Sequence, residues 1–518
     1  MNQRILKHII FMFGIFICML DTTVMNVALP SIATDFNASL NTLSWALNIY
    51  TILFAALTIP LTRISERIGE YKCYIIGLIL FGLGSLFSGI SGDTNLLVGS
   101  RAIQSIGAAI VFPLSMTLGI KLVGNGDRTA VIASLGVTQG LAAALGPIIG
   151  GIITNYFSWR WIFFINVPII LIMILFGFIL FNFDDENKTK GSFDFIGSFL
   201  SILFLVSLTL GLLKGRNWGW DSHQTIITFS TFLLAFILFI YTETKINTPM
   251  IPMELFKNHQ FIGASIVIVI SNLFLVAVTV ILPTYYSTVK NYNALKASLM
   301  LVPITLMIFI MAPLSGFALK KTGAKFLISI GFILMIIGYY GFSTKGLDSF
   351  KLAILFGFLI GAGYGLITGP ITIIAASDFK GNLLNSSQSV AGVLRQVGAV
   401  LAVAIFVTCL YGNLGQAQNK SMNYANNTIS KINLPGFMKD KIINDTDKAI
   451  KNRNSNDTKK VNTGISVIDN QLTLSLRNIK SETKKNYIFA FKKLYKDALP
   501  FMLLSILSIT LFDKKRKD

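Results

Sequence analysis

Fourteen long apolar runs, few charges, and basic residues gathered at alternate run ends predict an all-α integral membrane protein with 14 transmembrane helices. The 518 residues are 53% hydrophobic and 13% charged, with 41 phenylalanines, and the mean hydropathy is +0.67. A soluble domain carries about 25% charged residues. About 20 apolar residues cross the ~30 Å hydrocarbon core as a helix. Runs of that order lie at 8–29, 43–62, 73–92, 96–120, 130–157, 161–182, 194–213, 224–243, 260–286, 297–319, 325–344, 350–377, 387–412 and 498–512. The last is short and can start earlier, near Tyr487, with Lys492, Lys493 and Lys496 snorkelling.

Span 1 contains the first functional clue, because Asp21 interrupts it. The other acids fall in or beside loops, or in the polar segment before the last span. A charge at that depth is costly unless it is paired or does a job. Asp21 lies about 13 residues from the inner end of its span, or ~20 Å up at 1.5 Å per residue. Arg101, in span 4, which runs the other way, reaches nearly the same height. The two are therefore expected to face each other or to alternate between partners. A carboxylate beside a guanidinium keeps its charge, whereas one that loses that partner in apolar surroundings takes up a proton. Alternation would thus load and release a proton, while a static pair would only lock two helices together. Gln104 and Ser105 follow one turn later on the Arg101 face.

Span 5 contains Gly136, Gly140, Gly146, Pro147, Gly150 and Gly151. Gly146 and Gly150 have the small-xxx-small spacing that lets helix backbones touch, and Pro147 favours a kink. Span 13 places Gln388 and Arg395 on one helical face, with Gln396 adjacent. The second half offers Arg395 no intramembrane acid, so it is free to bind an anionic group, pair with substrate or hold helices together.

The net charge of +20 would suggest nucleic acid in a soluble protein. Here the lysines and arginines lie in loops, as cytoplasmic loops favour, so no nucleic-acid partner is expected. Arg4, Lys7, Arg63, Arg67, Lys72 and Lys121 belong to the larger basic set, which puts both termini in the cytoplasm. Cys18, Cys73 and Cys409 fall in apolar segments without metal or disulfide spacing, and His8, His223 and His259 lie at span ends. No metal, no cofactor and no buried histidine relay are expected. The spans show no paired carboxylates and no His or Cys cluster, so an enzyme is not expected. The first run lacks a small-residue cleavage site and should remain as a span. The bias to Asn, Lys and Ile suggests a bacterial source.

The chain repeats itself. Pro60, Gly69, Gly77 and Gly84 read like Pro313, Gly323, Gly331 and Gly338, with each glycine pair offset by 254 residues. Such repeats mark transporters built from two like halves with a site between them. The expected domains are a six-helix bundle over 1–182, an inserted helix pair with linkers over 183–255, and a second bundle over 256–518. The last includes a long extracellular segment at 413–486. That segment is rich in Asn, Lys, Ser and Thr. Two readings stay open for it: disorder, or a helical hairpin suggested by the apolar spacing from Ile465 to Ile479.

These motifs together resemble those of the fourteen-span drug:proton antiporters of the major facilitator superfamily. Leu20 to Pro30 is similar to the family's span-1 signature. Arg101, Gln104 and Gly107 match its span-4 motif, whose arginine is implicated in proton transfer. Gly136 to Gly151 is similar to its span-5 "antiporter" motif, and Trp159 to Pro168 matches a further signature of this branch. In the 2–3 loop, Glu66, Arg67 and Gly69 keep the family pattern, while Glu70 reverses a charge and Tyr71 replaces a basic residue.

The resemblance implies the major facilitator fold in a plasma membrane, with two six-helix bundles plus two inserted helices, acting as a monomer. It implies exchange of protons for a lipophilic monocationic, neutral or anionic amphiphile. Asp21 and Arg101 would couple the proton. Asn26, Asn48, Gln104, Gln388, Arg395 and Gln396 are candidate cavity groups. Glu66, Arg67, Gly69 and the span-5 residues Gly136, Gly140, Gly146, Pro147, Gly150 and Gly151 are candidate gating positions. The alternative is a lipid or fatty-acid exporter of the same fold.

Overall fold

The computed structural model describes residues 3–38, 40–123, 128–184, 186, 188, 193–246, 248–432, 435–451 and 466–512. Among them there is no strand, and fourteen helical stretches are long and apolar enough to cross a membrane. Spans 1 to 5 are α1 (Gln3–Asp35), α2 (Leu40–Ile68), α3 (Glu70–Ile90), α4 (Thr94–Lys121) and α5 (Arg128–Tyr156). Span 6 comprises α6 (Trp161–Phe164) and α7 (Asn166–Leu180), and the next two are α8 (Phe195–Trp218) and α9 (His223–Glu243). Then come α10 (His259–Thr288), α11 with α12 (Ala294–Leu299, Val302–Thr322), α13 (Ala324–Ser343) and α14 (Phe350–Ser377). The final group is α15 (Gly381–Ala402), α16 (Thr408–Ser430), α17 (Gly436–Lys451) and α18 (Ser466–Ser505).

Short polar side chains start several of these helices by accepting from otherwise unpaired backbone N–H groups. Asp93 accepts from Leu96 N at 2.9 Å, Asn293 from Lys296 N at 2.9 Å, and Asp194 from Gly197 N at 2.7 Å. Helix α4 is buried along most of its length, with Leu97, Arg101, Gln104 and every residue from Gly107 to Ile120 in the interior. By contrast, α7 and α9 expose Leu171, Leu175, Phe178, Ile227, Leu234 and Ile237, the pattern of lipid-facing helices.

The sequence repeat has a packing cause. Gly77 lies against Ile110 and Val111 of α4, and its counterpart Gly331 lies against Ile367 and Gly363 of α14. Gly69 and Gly323 both precede a helix at positive φ, 129° and 79°, a region that favours glycine. The same joint is thus used before α3 and before α13.

Helices α8 and α9 pack on each other, and α8 rests on α2. Helix α5 packs on α1 and also on α11, α12 and α14, while α2 and α4 meet α15. Of the two readings of 413–486, the described residues follow the helical one. Helix α16 continues span 13 to Ser430, α17 packs on it, and α18 begins at Ser466 and runs into the last span. Ala425, Ile429, Ile442, Ile450, Leu472 and Ile479 give this segment its own apolar core, which a disordered polar tract would lack. Ile465, where the apolar spacing begins, lies outside the described residues. Lys492 of α18 pairs with Asp348 at 2.7 Å, next to the start of α14.

Candidate functional site

The structure brings Asp21 and Arg101 into contact in the interior, where they are 4% and 0% exposed. Arg101 Nη1 donates to Asp21 Oδ2 at 2.5 Å and to Gln104 Oε1 at 2.7 Å. Gln104 Nε2 donates to Asp21 Oδ1 at 2.8 Å and to Ser85 Oγ at 2.8 Å. Arg101 Nε donates to the Ala46 carbonyl at 3.3 Å, and its guanidinium lies 4.2 Å from the Tyr50 ring centroid. A buried ion pair is tolerable only when its remaining polar atoms find partners. Here both carboxylate oxygens accept, and α1, α2, α3 and α4 each supply a group.

Local sequence explains the geometry. Arg101 and Gln104 are three residues apart and share a helix face. Gly84 lies so close to the Gln104 backbone that a Cβ there would collide with it, and Gly107 stands in the same way against Phe81 and Gly77. Small residues thus seat α4 on α3, and Gln104 reaches Ser85. Gln104, a candidate cavity group, thus stands in direct contact with Asp21 and Arg101. Ser85, Tyr50 and Asn166, which donates to Ser85 Oγ at 3.4 Å, were not singled out. Asn166 stands inside the Trp159 to Pro168 signature, the one available signal.

The glycines of α5 divide into two sets. Gly146 and Gly150 face α1, against Thr23 and the Val24 carbonyl. Gly136, Gly140 and Gly151 face the second half, against Thr372, Ile308, and Leu295 with Ser298. Pro147 is buried between them. Helix α5 therefore stands between the Asp21 helix and the second half of the chain.

Toward the face that carries the larger basic set, a second polar cluster joins the halves. Asn385 Nδ2 of α15 donates to Glu66 Oε1 and to Glu70 Oε1, both at 2.7 Å. Lys121 Nζ pairs with Glu70 at 2.6 Å and Arg63 Nη1 with Glu66 at 2.7 Å. The charge reversal at Glu70 thus retains a partner, supplied by Lys121. Arg67 is exposed and its guanidinium lies 5.9 Å from the Phe193 ring centroid. A side chain on Gly69 would collide with Glu186. Glu186 Oε1 accepts from the N–H groups of Tyr71 at 2.6 Å and Lys72 at 3.3 Å. Burial nonetheless pushes the Glu186 carboxyl above its ordinary range.

Of the remaining candidates, Gln388 and Arg395 do share a face, and it is turned to α14. Gln388 donates to the Ala375 carbonyl at 3.3 Å and Arg395 to Thr372 Oγ1 at 3.2 Å. Among the described residues Arg395 makes no ion pair. Gln396 is buried on α15 and Asn48 half-buried on α2. The side chain of Asn26 lies outside the described residues.

On the opposite face, Asp35 accepts from Trp159 Nε1 at 3.1 Å and Arg160 Nη1 at 2.6 Å. The bonds from Arg160 and then Trp159 hold its carboxyl below the ordinary range. A depressed carboxyl stabilises above its unfolded value, near 4, and loses that effect as pH falls through the lower folded value. Asp35→Asn is therefore expected to lower the melting temperature slightly at neutral pH, with the difference from wild type vanishing in strong acid.

A profile of the Major Facilitator Superfamily matches residues 11–403. The chain belongs to the major facilitator superfamily. This transporter is 28% identical over 411 residues to the "Multidrug export protein EmrB" of Escherichia coli K12, covering 78% of its own length and 80% of that protein. It is 28% identical to the "Multidrug transporter protein MdtP" of Bacillus subtilis, over 76% of its own length and 72% of that protein. The "Riboflavin transporter RibZ" of Clostridioides difficile is 28% identical over 78% of this chain and 88% of its own. The protein is thus a multi-pass transporter of a family found in bacteria, and not an enzyme.

Proposed function

We propose that this transporter exports amphiphilic compounds across the bacterial cell membrane in exchange for protons, with both termini in the cytoplasm. The observation that carries the reading is the sealed Asp21–Arg101–Gln104 site. A carboxylate that answers only to a movable guanidinium and amide can be charged in one arrangement and protonated in another. Residues 1–182 and 256–518 act as the two moving halves, with 183–255 an inserted pair, and α5 links the Asp21 helix to the opposite half. The multidrug relatives support a lipophilic substrate. Arg395, beside Thr372 and without a carboxylate partner among the described residues, favours substrates that bring a polar or anionic group. The riboflavin relative makes a flat polar ring system a sensible member of any test set.

The test is transport in proteoliposomes under an imposed pH gradient. Monocationic, neutral and anionic amphiphiles, riboflavin and a fatty acid are offered in turn. At least one amphiphile is expected to move against its gradient and to drive proton movement the other way. Uptake that ignores the pH gradient for every compound would overturn the antiport reading.

A further inference from the structure

Asp194 and Glu243 are two of the acids that the sequence places in or beside loops, at the ends of the inserted spans. The structure buries both, at 7% and 2% exposure, and turns one carboxyl oxygen of each toward the same space. A Cβ on Gly197 would collide with Asp194 Oδ2 and Glu243 Oε1 together. Neither oxygen has a hydrogen-bond partner among the described residues. The other two oxygens are occupied. Asp194 Oδ1 caps α8 by accepting from Gly197 N at 2.7 Å, and Glu243 Oε2 accepts from Ile251 N at 2.9 Å.

Two buried carboxylates facing each other repel, and each unpartnered oxygen loses its hydration. One proton removes both costs at once, because a carboxyl and a carboxylate then form a single charge-assisted bond. Among the described residues no cation bonds to either oxygen. Arg63 of α2 is committed to Glu66 and, through Nε and Nη2, to the Met250 and Pro249 carbonyls, both at 2.9 Å. Arg67 lies over Phe193, and Glu254 and Lys257 are exposed residues of the segment before α10. All of these groups line one cavity of about 560 Å³ that also borders the pair, so protons can reach it from the basic face.

We propose that Asp194 and Glu243 form a proton-binding site that holds one shared proton between Asp194 Oδ2 and Glu243 Oε1. Glu243 carries the proton, because Asp194 caps the start of α8, where a negative charge is favoured. The site is separate from Asp21. It also has a mechanical output. Glu243 fixes Ile251, the adjoining Met250 and Pro249 fix Arg63, and Arg63 fixes Glu66, which accepts from Asn385 across the halves. Losing the proton places two like charges at the root of that chain and loosens it.

The full-length protein in lipid nanodiscs tests this by infrared difference spectroscopy from about pH 5 to about pH 9. A protonated carboxyl band is expected to disappear with rising pH in the wild type. It should be missing in Glu243→Gln and in Asp194→Asn and present in Asp21→Asn. The melting temperature should fall over the same range in the wild type and stay flat in Glu243→Gln, whose amide donates permanently to Asp194. That variant keeps the shape of the side chain and its contact with Ile251, so a folding defect from the lost cap in Asp194→Asn leaves the test intact. A titrating band that survives both substitutions, or a wild-type melting temperature that does not change, overturns the proposal. Neither result depends on transport, so the antiport reading stands or falls separately.

Discussion

Asp21→Asn is expected to abolish substrate-driven proton movement in proteoliposomes while leaving a folded protein. The asparagine fits the same space, and its Oδ1 can still accept from Arg101 Nη1, as Asp21 Oδ2 does. What it cannot do is change its charge. Its main electrostatic consequence is a guanidinium at 0% exposure with no counter-ion. Removing one partner of a buried pair costs about 3–5 kcal/mol, so the variant should also melt at a lower temperature. Protonating Asp21 in the wild type leaves Arg101 in the same position, so proton uptake and rearrangement of Arg101 must go together in this arrangement of helices. Arg101→Leu creates the converse defect, a buried carboxylate without its cation, which is relieved by protonation. The double variant Asp21→Asn/Arg101→Leu removes both charges and should recover much of the lost stability, as a double-mutant cycle would register. It should recover none of the proton coupling. Proton exchange at the wild-type rate in Asp21→Asn would make the pair purely structural.

The Asp21–Arg101 contact was legible in the sequence because charges within spans are rare and a helix rises by a fixed step, so two depths can be compared. The fourteen spans were legible for the same physical reason, that a bilayer demands length and apolarity. Contacts made by chain segments folding back were not. Lys121 meets Glu70 across 51 residues and Asn385 meets it across 315, and no local pattern encodes either. Asp194 and Glu243 looked like solvated loop charges, since hydropathy cannot distinguish a loop in water from one tucked under a helix end. Both stand at span ends, one before α8 and one closing α9, where the apolar runs give way to polar sequence. The segment 413–486 read as polar because most of its surface is polar. Its few isoleucines and leucines suffice for a helical core only when three helices pool them.

The glycines of α5 look alike in sequence, and their substitution by alanine is expected to separate them. Alanine favours a helix over glycine by up to about 1 kcal/mol, so the sign of each change depends on available space. At Gly136 the nearest atom to an added Cβ is Thr372 Cγ2 at 3.4 Å, an ordinary contact. Gly136→Ala should therefore be neutral or slightly stabilising, within about 0.5 to 1 kcal/mol. At Gly146 the added carbon would collide with the Thr23 side chain and stand 3.3 Å from the Leu20 carbonyl. Thr23 Oγ1 donates to that carbonyl at 3.0 Å, and Asp21 is the next residue. The methyl group must push α1 away from α5 or displace Thr23, and overpacking of this kind costs about 1–3 kcal/mol. Either response shifts Asp21 relative to Arg101, which is held by α2 and α4 and does not follow. Gly146→Ala should therefore lose most proton-coupled transport, whereas Gly136→Ala keeps it. The comparison is read from melting temperatures and proton flux in parallel. Equal transport by the two variants would mean that the α1–α5 contact is mere packing and that Asp21 tolerates the shift.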